Sequence, residues 1–237
     1  MASTKKQSYP INVGIIMDGN GRWARKNTFA ITRGHQQGIK VVRQIVEESV
    51  ERRLSSLTIY AFSTENWSRP KQEISGIKKL IIQAIDEQVP DLVEQRVKLN
   101  FFGDIESFGQ DVIQKTNAAM HETSCDNPVL NLNVAIGYGG RADIIQAVTR
   151  IVSDSKKHKL DFNEESFFNY LRAPVKDLDL LIRTGGDKRI SNFMLYHLAY
   201  TELCFLETLW PDFSREEFSE CLKIFNSRER RFGKRIL

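Results

Sequence analysis

The sequence predicts an α/β fold, a mostly parallel central sheet of about six strands covered by helices. Three observations carry that reading. Short apolar runs recur at 13–17, 57–62, 97–102, 130–136, 178–182 and 202–206. Between several of them lie segments whose apolar residues keep helical spacing, the alternation expected of strands joined by helical crossovers. The first five runs lead into polar or glycine-rich strings, and in such sheets ligands bind beyond the carboxyl ends of the strands.

The elements follow in order. The run at 13–17 enters Asp18-Gly19-Asn20-Gly21-Arg22-Trp23-Ala24, and the run at 57–62 enters Ser63-Thr64-Glu65-Asn66-Trp67. The third meets Gly103-Asp104, the fourth Gly137-Tyr138-Gly139-Gly140-Arg141 and the fifth Arg183-Thr184-Gly185-Gly186. A helix is expected at 38–52, with Val41, Val42, Ile45, Val46 and Val50 on one side, and another at 74–92, with Ile77, Leu80, Ile81, Ile85 and Val89. Ser214 with Glu217 forms a capping box before Phe218, Leu222 and Phe225, so a last helix starts there. It runs into Arg228, Arg230, Arg231, Lys234 and Arg235, cations that suit a solvated helix terminus or contact with anionic lipid or a diphosphate. Residues 153–159 read as a polar loop.

Composition sets the outer limits. A chain of 237 residues, 41% hydrophobic and 10% aromatic, buries one substantial core, so residues 1–237 read as one domain. Residues 1–10 are polar, expected to be flexible, and lack the apolar stretch of a signal peptide. A net charge of +4 does not by itself indicate nucleic acid. Cys125, Cys204 and Cys221 are an odd number without CxxC spacing, which suits a reducing compartment and argues against a disulfide frame or zinc site. No run approaches the ~18 apolar residues of a membrane span, so a soluble or peripheral protein is expected.

The string that begins at Asp18 carries the chemistry. Gly19 and Gly21 allow backbone N–H groups to converge on an anion, and Arg22 adds a two-pronged donor for phosphate oxygens. Asp18 repels a phosphate unless a divalent cation lies between them, so the string reads as a site for a metal-bound diphosphate. Two arginines, Arg183 and Arg189, flank Gly185-Gly186 at another strand end, a second anion-binding arrangement.

Taken in order, these strings resemble the cis-prenyltransferases, most closely the bacterial undecaprenyl diphosphate synthases. The resemblance rests on the stretch from Ile15 to Ala24, Gly34-His35, and Tyr60-Ala61-Phe62-Ser63-Thr64-Glu65-Asn66-Trp67-Ser68-Arg69-Pro70. It continues through Tyr138-Gly139-Gly140-Arg141, Leu181-Ile182-Arg183-Thr184-Gly185-Gly186, Arg189-Ile190-Ser191-Asn192-Phe193, Trp210-Pro211-Asp212-Phe213 and Arg228-Glu229-Arg230-Arg231-Phe232-Gly233. The family joins an allylic diphosphate repeatedly to isopentenyl diphosphate, making Z double bonds.

The resemblance implies that Asp18 holds Mg2+ and assists departure of the allylic diphosphate, with Glu202 as a second metal ligand. It implies that Gly19, Asn20, Gly21, Arg22, Trp23 and His35 surround that diphosphate. Arg183, Arg189, Ile190 and Ser191 match the residues that bind isopentenyl diphosphate. Asn66 matches the proposed proton acceptor, with Ser63, Thr64, Glu65, Trp67 and Arg69 around it. It further implies farnesyl diphosphate as primer, an undecaprenyl product for cell-wall carrier lipid, a homodimer and a cytoplasmic place, with peripheral membrane contact for product release. The growing chain asks for an apolar tunnel, for which Ile77, Ile81, Ile85, Ala61, Leu130 and Leu132 are candidates; each is equally suited to ordinary core.

Other readings compete. Asn66 and Ser63 suit backbone capping at a turn, and Trp23, Trp67 and Trp210 suit packing anchors. Glu202 suits an arginine partner as well as a metal. The sequence departs from the family pattern at Asn12, Ile31, Gly137 and Asp187-Lys188, where His, Arg, Asn and Glu-His are usual. Those changes bear on primer and product length. A dehalogenase-type phosphatase is excluded, because Ile16 and Asn20 stand where its second aspartate is needed. A trans-type synthase is disfavoured by the absence of a DDxxD cluster. A regulatory subunit of a prenyltransferase complex and a short-chain Z-prenyl diphosphate synthase are the alternatives.

Overall fold

The computed structural model describes residues 11–156 and 162–228. The six strands are β1 (Asn12–Ile16), β2 (Ser56–Ser63), β3 (Val97–Gly103), β4 (Leu130–Tyr138), β5 (Leu180–Arg183) and β6 (Glu202–Phe205). They form one sheet in the order β3-β4-β2-β1-β5-β6, and every neighbouring pair is parallel. The expected sheet is therefore present, with strand limits shifted by up to two residues. Its central strands are buried on both faces, which is why they read as continuous apolar runs.

Strand order reverses around β1, whose neighbours are β2 on one side and β5 on the other. The register places Ile16 beside both Tyr60 and Arg183, so the strings that follow β1, β2 and β5 emerge at the same edge. A crevice at such a switch point is the usual ligand site of an open parallel sheet.

Seven helices accompany the strands: α1 (Asn20–Lys26), α2 (Ile31–Glu51), α3 (Lys71–Glu94), α4 (Gln110–Glu122), α5 (Gly140–Ser155), α6 (Glu164–Phe168) and α7 (Arg215–Ser227). The largest apolar cluster joins residues of α2, α3, α4 and α7 to the sheet, and a second, around Ile16, Tyr60, Phe193 and Met194, lies apart from it. α7 begins with the expected capping box: Glu217 N–H donates to Ser214 Oγ, and Ser214 N–H donates to Glu217 Oε2, each at 3.2 Å. It also brings Cys221 against Cys204 of β6, with the two sulfurs 3.4 Å apart.

Several expected boundaries need correction. The helix expected at 38–52 starts at Ile31, because Gly34 and Gly38 are packing positions within it. A Cβ on Gly34 would lie 2.2 Å from the Asn20 carbonyl oxygen, and one on Gly38 2.9 Å from the Trp210 ring. The helix expected at 74–92 starts after Pro70 and carries Pro90 inside it. The polar loop expected at 153–159 is helical as far as Ser155, and its last residues lie outside the described ones. So do the segment 1–10 and Arg230, Arg231, Lys234 and Arg235 of the basic tail. Among the described residues no helix is long and apolar enough to cross a membrane.

Candidate active site

Asp18 leaves β1 through a turn that only particular residues allow. Gly19 has φ +120°, and a Cβ there would lie 2.9 Å from the backbone of Leu209. Thr184 and Trp210 hold the turn from behind: Thr184 Oγ1 donates to the Asp18 carbonyl at 2.8 Å, and Trp210 N–H donates to it at 3.0 Å. α1 starts at once, so Arg22 falls one turn after Asp18 and its Nη2 reaches Asp18 Oδ1 at 2.9 Å. Gly185, with φ +89°, leaves room for that guanidinium, since a Cβ there would lie 2.6 Å from Arg22 Nη2.

Arg183, the last residue of β5, approaches from the neighbouring strand. It is 3% exposed, and its Nη2 donates to Asp18 Oδ2 at 2.8 Å. Nη1 donates to Ser191 Oγ at 2.6 Å and to the Arg189 carbonyl. Arg189 in turn meets Asp187 through two bonds of 3.0 and 2.8 Å. Asp187 Oδ2 also stands 3.8 Å from Arg22 and 3.7 Å from Arg183, so three guanidinium groups converge here on two carboxylates. Burial pushes the Asp18 carboxyl up, but hydrogen bonds from Arg183 and Arg22 outweigh it and hold the group below the usual aspartate value. Asp18 is an anion at neutral pH.

The other wall comes from α2, β2 and the turn after it. Burial, then the charge of Arg69, lowers the affinity of His35 for a proton, so its imidazole is neutral at pH 7. Arg69 Nη1 donates to Glu73 at 3.0 Å. Asn66 Oδ1 accepts the Ser63 N–H at 3.1 Å, completing a capping box for the turn at Thr64–Ser68. Asn192 ties this wall to the arginine loop: its amide donates to Glu65 Oε1 at 2.8 Å, while its Oδ1 accepts the Arg141 N–H at 2.9 Å. Ser191, Asn192 and Met194 all have positive φ, so the loop after β5 is tightly constrained.

These groups open into a cavity of about 930 Å³. Asp18, His35, Asn66, Arg69, Arg183 and Arg189 line one part. Beyond them the lining is aliphatic: Ile39 and Val42 from α2, Ile77, Ile81 and Ile85 from α3, Leu99 from β3, and Leu132 and Val134 from β4. One site thus joins an arginine cradle to an apolar chamber.

Comparisons with known proteins show the family of the chain. Residues 16–233 match a prenyltransferase family model described as an undecaprenyl diphosphate synthase. The chain is 43% identical over 228 residues to the farnesyl-diphosphate-specific ditrans,polycis-undecaprenyl-diphosphate synthase of Photorhabdus laumondii, covering 94% of this chain and 89% of that one. It is 44% identical over 232 residues to its counterpart in Shewanella oneidensis, covering 96% and 84%. The chain belongs to the cis-prenyltransferase family. Among solved structures, this prenyltransferase is similar to lavandulyl diphosphate synthase of Lavandula x intermedia in complex with dimethylallyl diphosphate. The TM-score is 0.91 at 29% identity, over 95% of this chain and 98% of that one.

The structure brings most of the expected site residues of this prenyltransferase together. Asn20, Ser63, Glu65, Ile190 and Ser191 line the cavity with Asp18, His35, Asn66, Arg69, Arg183 and Arg189, whereas Gly19 and Arg22 stand beside Asp18 outside the lining. Gly21 faces open space, with nothing within 4 Å of an added Cβ. Thr64 donates to Glu65 at 3.0 Å instead of lining the cavity.

Four further expected residues stand outside the cavity lining. Trp67 packs in an aromatic cluster with Phe62 and Phe108, at 5.0 and 4.7 Å, and is absent from the cavity lining. Trp23 packs at a tilt against Phe29, and its indole N–H donates to Asp212 at 2.6 Å, also outside the lining. Glu202 begins β6, in register with Leu180 at the opposite end of β5 from Arg183, and it accepts from Arg228. Leu180 lies three residues, roughly 10 Å at about 3.3 Å per residue, from Arg183 along β5, so Glu202 of this chain stands away from Asp18. Leu130 likewise belongs to the core and leaves the cavity lining to Leu132.

Asp187, Asn192 and Arg141 were not singled out as site residues from the sequence. Asp187 showed itself only as a departure beside the second arginine, and Asn192 and Arg141 only as parts of longer matching strings. The departure at Asn12 lies away from the site, where its N–H donates to Asp179 at 2.9 Å. Gly137, with φ +62°, sits 2.7 Å from the Asp104 carbonyl through a notional Cβ.

Proposed function

We propose that this prenyltransferase condenses isopentenyl diphosphate with an allylic diphosphate, farnesyl diphosphate for preference, and extends it to a Z-polyprenyl diphosphate of undecaprenyl length. One observation carries the reading: Arg183, Arg189 and an ionised Asp18, whose other oxygen meets Arg22, stand at one part of a cavity whose remainder is mostly apolar. That combination suits an amphiphile with a diphosphate head and a growing apolar tail. The relatives named as farnesyl-specific undecaprenyl diphosphate synthases support the primer and product. The lavandulyl diphosphate synthase complex with dimethylallyl diphosphate supports an allylic diphosphate in this fold.

The residues divide the work by chemistry. Breaking the allylic C–O bond leaves diphosphate with additional negative charge, which Arg22 and the N–H groups of the Gly19–Gly21 turn receive without rearrangement. Arg183, Arg189 and Ser191 hold isopentenyl diphosphate, with Arg183 preset by its buried bonds. As the new C–C bond forms, a proton leaves the isopentenyl unit, and we assign Asn66 to that step. His35, neutral at pH 7, serves the diphosphate as a hydrogen-bond donor.

Mg2+ fits this donor set. Among the described residues no cluster of three His, Cys, Asp or Glu side chains makes a protein cage, and Mg2+ typically binds one or two carboxylates together with substrate phosphates. Asp18 supplies the hard, ionised oxygen for it. Bound there, Mg2+ supplies positive charge that stabilises the departing diphosphate.

We place the enzyme in the cytoplasm, acting as one domain per chain and as a homodimer that makes the carrier lipid of cell-wall synthesis. Exposed Ile145, Val148 and Val152 recur along one side of α5 and support a second copy as its cover. Incubation with farnesyl diphosphate, labelled isopentenyl diphosphate and Mg2+, followed by sizing of the product, tests the reading. A ladder ending near eleven isoprene units is expected from the named relatives. A product stopping at four or five units, after one or two additions to the primer, would establish the short-chain alternative, and no condensation with any primer would favour a regulatory subunit.

A further inference from the structure

We propose that the outer side of the α1–α2 hairpin is a docking surface for a bilayer containing anionic phospholipid. Asp and Glu make up 30 of the 237 residues, yet none occurs from Gly19 to Val46, where Arg22, Arg25, Lys26, Arg33, Lys40 and Arg43 stand. Arg22 is occupied by Asp18, and Arg43 by Glu47 and Asp91. Arg25, Lys26, Arg33 and Lys40 are exposed and have no ion pair among the described residues. At the hairpin's border, Asp212 accepts the indole N–H of Trp23.

The apolar part is held outward by the backbone. Thr28, with φ +56°, closes α1 in a left-handed turn: its N–H donates to the Arg25 carbonyl at 3.1 Å, and the Phe29 N–H donates to the Ala24 carbonyl at 2.8 Å. This double bond is the Schellman closure, which usually folds the residue after the turn inward. Here Phe29 remains 50% exposed, with Ile31 beside it at 40%, supported laterally by Trp23 with ring centres 5.8 Å apart. Two exposed apolar side chains among uncompensated cations on a rigid turn match the composition of an interfacial anchor.

Position gives the surface its use. The inner side of the same hairpin contributes Asn20, His35, Gly38, Ile39 and Val42 to the cavity. A bilayer on the outer side therefore lies one helical layer from a site whose proposed product is insoluble in water. That last step rests on the proposed function; the binding itself does not.

Flotation of the full chain with phosphatidylglycerol–phosphatidylcholine vesicles, with no prenyl substrate present, tests the surface. Binding to these vesicles, loss on pure phosphatidylcholine and weakening at high salt are expected. Each cation near an anionic surface contributes about fivefold to partitioning, so the double variant Arg25→Glu, Lys26→Glu should lose at least 25-fold, roughly. Phe29→Ser should weaken binding even at low salt. Both variants should keep the wild-type melting temperature and their turnover in detergent. Inorganic pyrophosphate, a ligand of the proposed arginine cradle, should leave vesicle binding unchanged. The proposal is overturned if wild type stays with the unbound fraction, if the hairpin variants bind like wild type, if pyrophosphate releases the vesicles, or if only Arg230→Glu with Arg231→Glu abolishes binding. Loss of condensation activity with vesicle binding intact would count against the proposed function alone.

Discussion

Arg183 of β5 and Asp18 after β1 meet at 2.8 Å although 165 residues separate them in the chain. The parallel pairing of the two strands is what makes them neighbours. The pair is asymmetric: the guanidinium is nearly buried, while the aspartate side chain is 28% exposed and open to a ligand. Arg183 is thus a prearranged cation, and Asp18 keeps the face needed for a metal or substrate.

Removing that cation should be felt mainly in catalysis. Arg183→Ala is expected to lower kcat/KM by roughly a hundredfold or more, with a higher KM for isopentenyl diphosphate. Arg183→Lys should recover little, because an ammonium cannot span Asp18, Ser191 and the Arg189 carbonyl together. Steady-state kinetics with each substrate varied in turn will check this; a KM within twofold of wild type removes Arg183 from the isopentenyl site.

Asp18→Asn keeps the shape and a hydrogen-bond acceptor but loses the charge. Product formation should cease while the melting temperature changes little. Titration with Mg2+ and an allylic diphosphate, followed by calorimetry, should show the loss of metal-dependent binding. Retained metal dependence would place the ion elsewhere.

The two glycines of the first turn should respond differently to alanine. Gly19→Ala forces a side chain into positive φ and against Leu209, so it should destabilise the fold by about 1–3 kcal/mol. Gly21→Ala meets no protein atom within 4 Å and should fold normally. Any effect of Gly21→Ala must then come through the ligand, read as weaker diphosphate binding at unchanged thermal stability.

Acid stability should depend on Glu48, which joins α2 to α7. Ser219 donates to it at 2.6 Å, and Arg52 and Arg215 reach it at 2.7 and 2.9 Å. The Ser219 bond, against the opposing cost of burial and with help from the two arginines, lowers its pKa from 4.5 to about 2. A depressed carboxylate stabilises fully above its unfolded value and loses that contribution as pH falls towards the folded one. About 3 kcal/mol should therefore disappear between pH 4.5 and 2. Denaturant unfolding of Glu48→Gln should show a flatter acid limb across that window; an identical limb would refute the assignment.

Tunnel length should be adjustable from α3. Ala84 is a small residue of the cavity lining, and Ala84→Trp is expected to shorten the product at some cost in stability. Mass analysis of the prenyl diphosphates should reveal the shift. An unchanged ladder would mean that the chain grows through another part of the chamber.

Much of this is legible in the sequence. The apolar runs located all six strands because strands buried on both faces need uninterrupted apolar residues. Asp18, Arg22, Arg183 and Arg189 stood out because charged groups at the ends of such runs have few structural uses. The start of α2 was missed because Gly34 and Gly38 look like helix breakers, whereas tight contact with Asn20 and Trp210 requires them. Trp67 reads as a substrate neighbour from its matching string and as a packing anchor from its size, and its contacts with Phe62 and Phe108 favour packing.

By itself the sequence determined the alternation of strands and helices, the edge where polar strings collect and the chemistry of the aspartate turn. These are local properties, set by periodicity, glycine conformation and side-chain charge. Only the tertiary structure decided that Asp187 shares the arginine cradle, that Asn192 fastens one wall to the other, and that Glu202 stands at the far end of the sheet. Those relationships depend on strand order and register, which couple residues more than a hundred positions apart and leave no trace in their immediate neighbours.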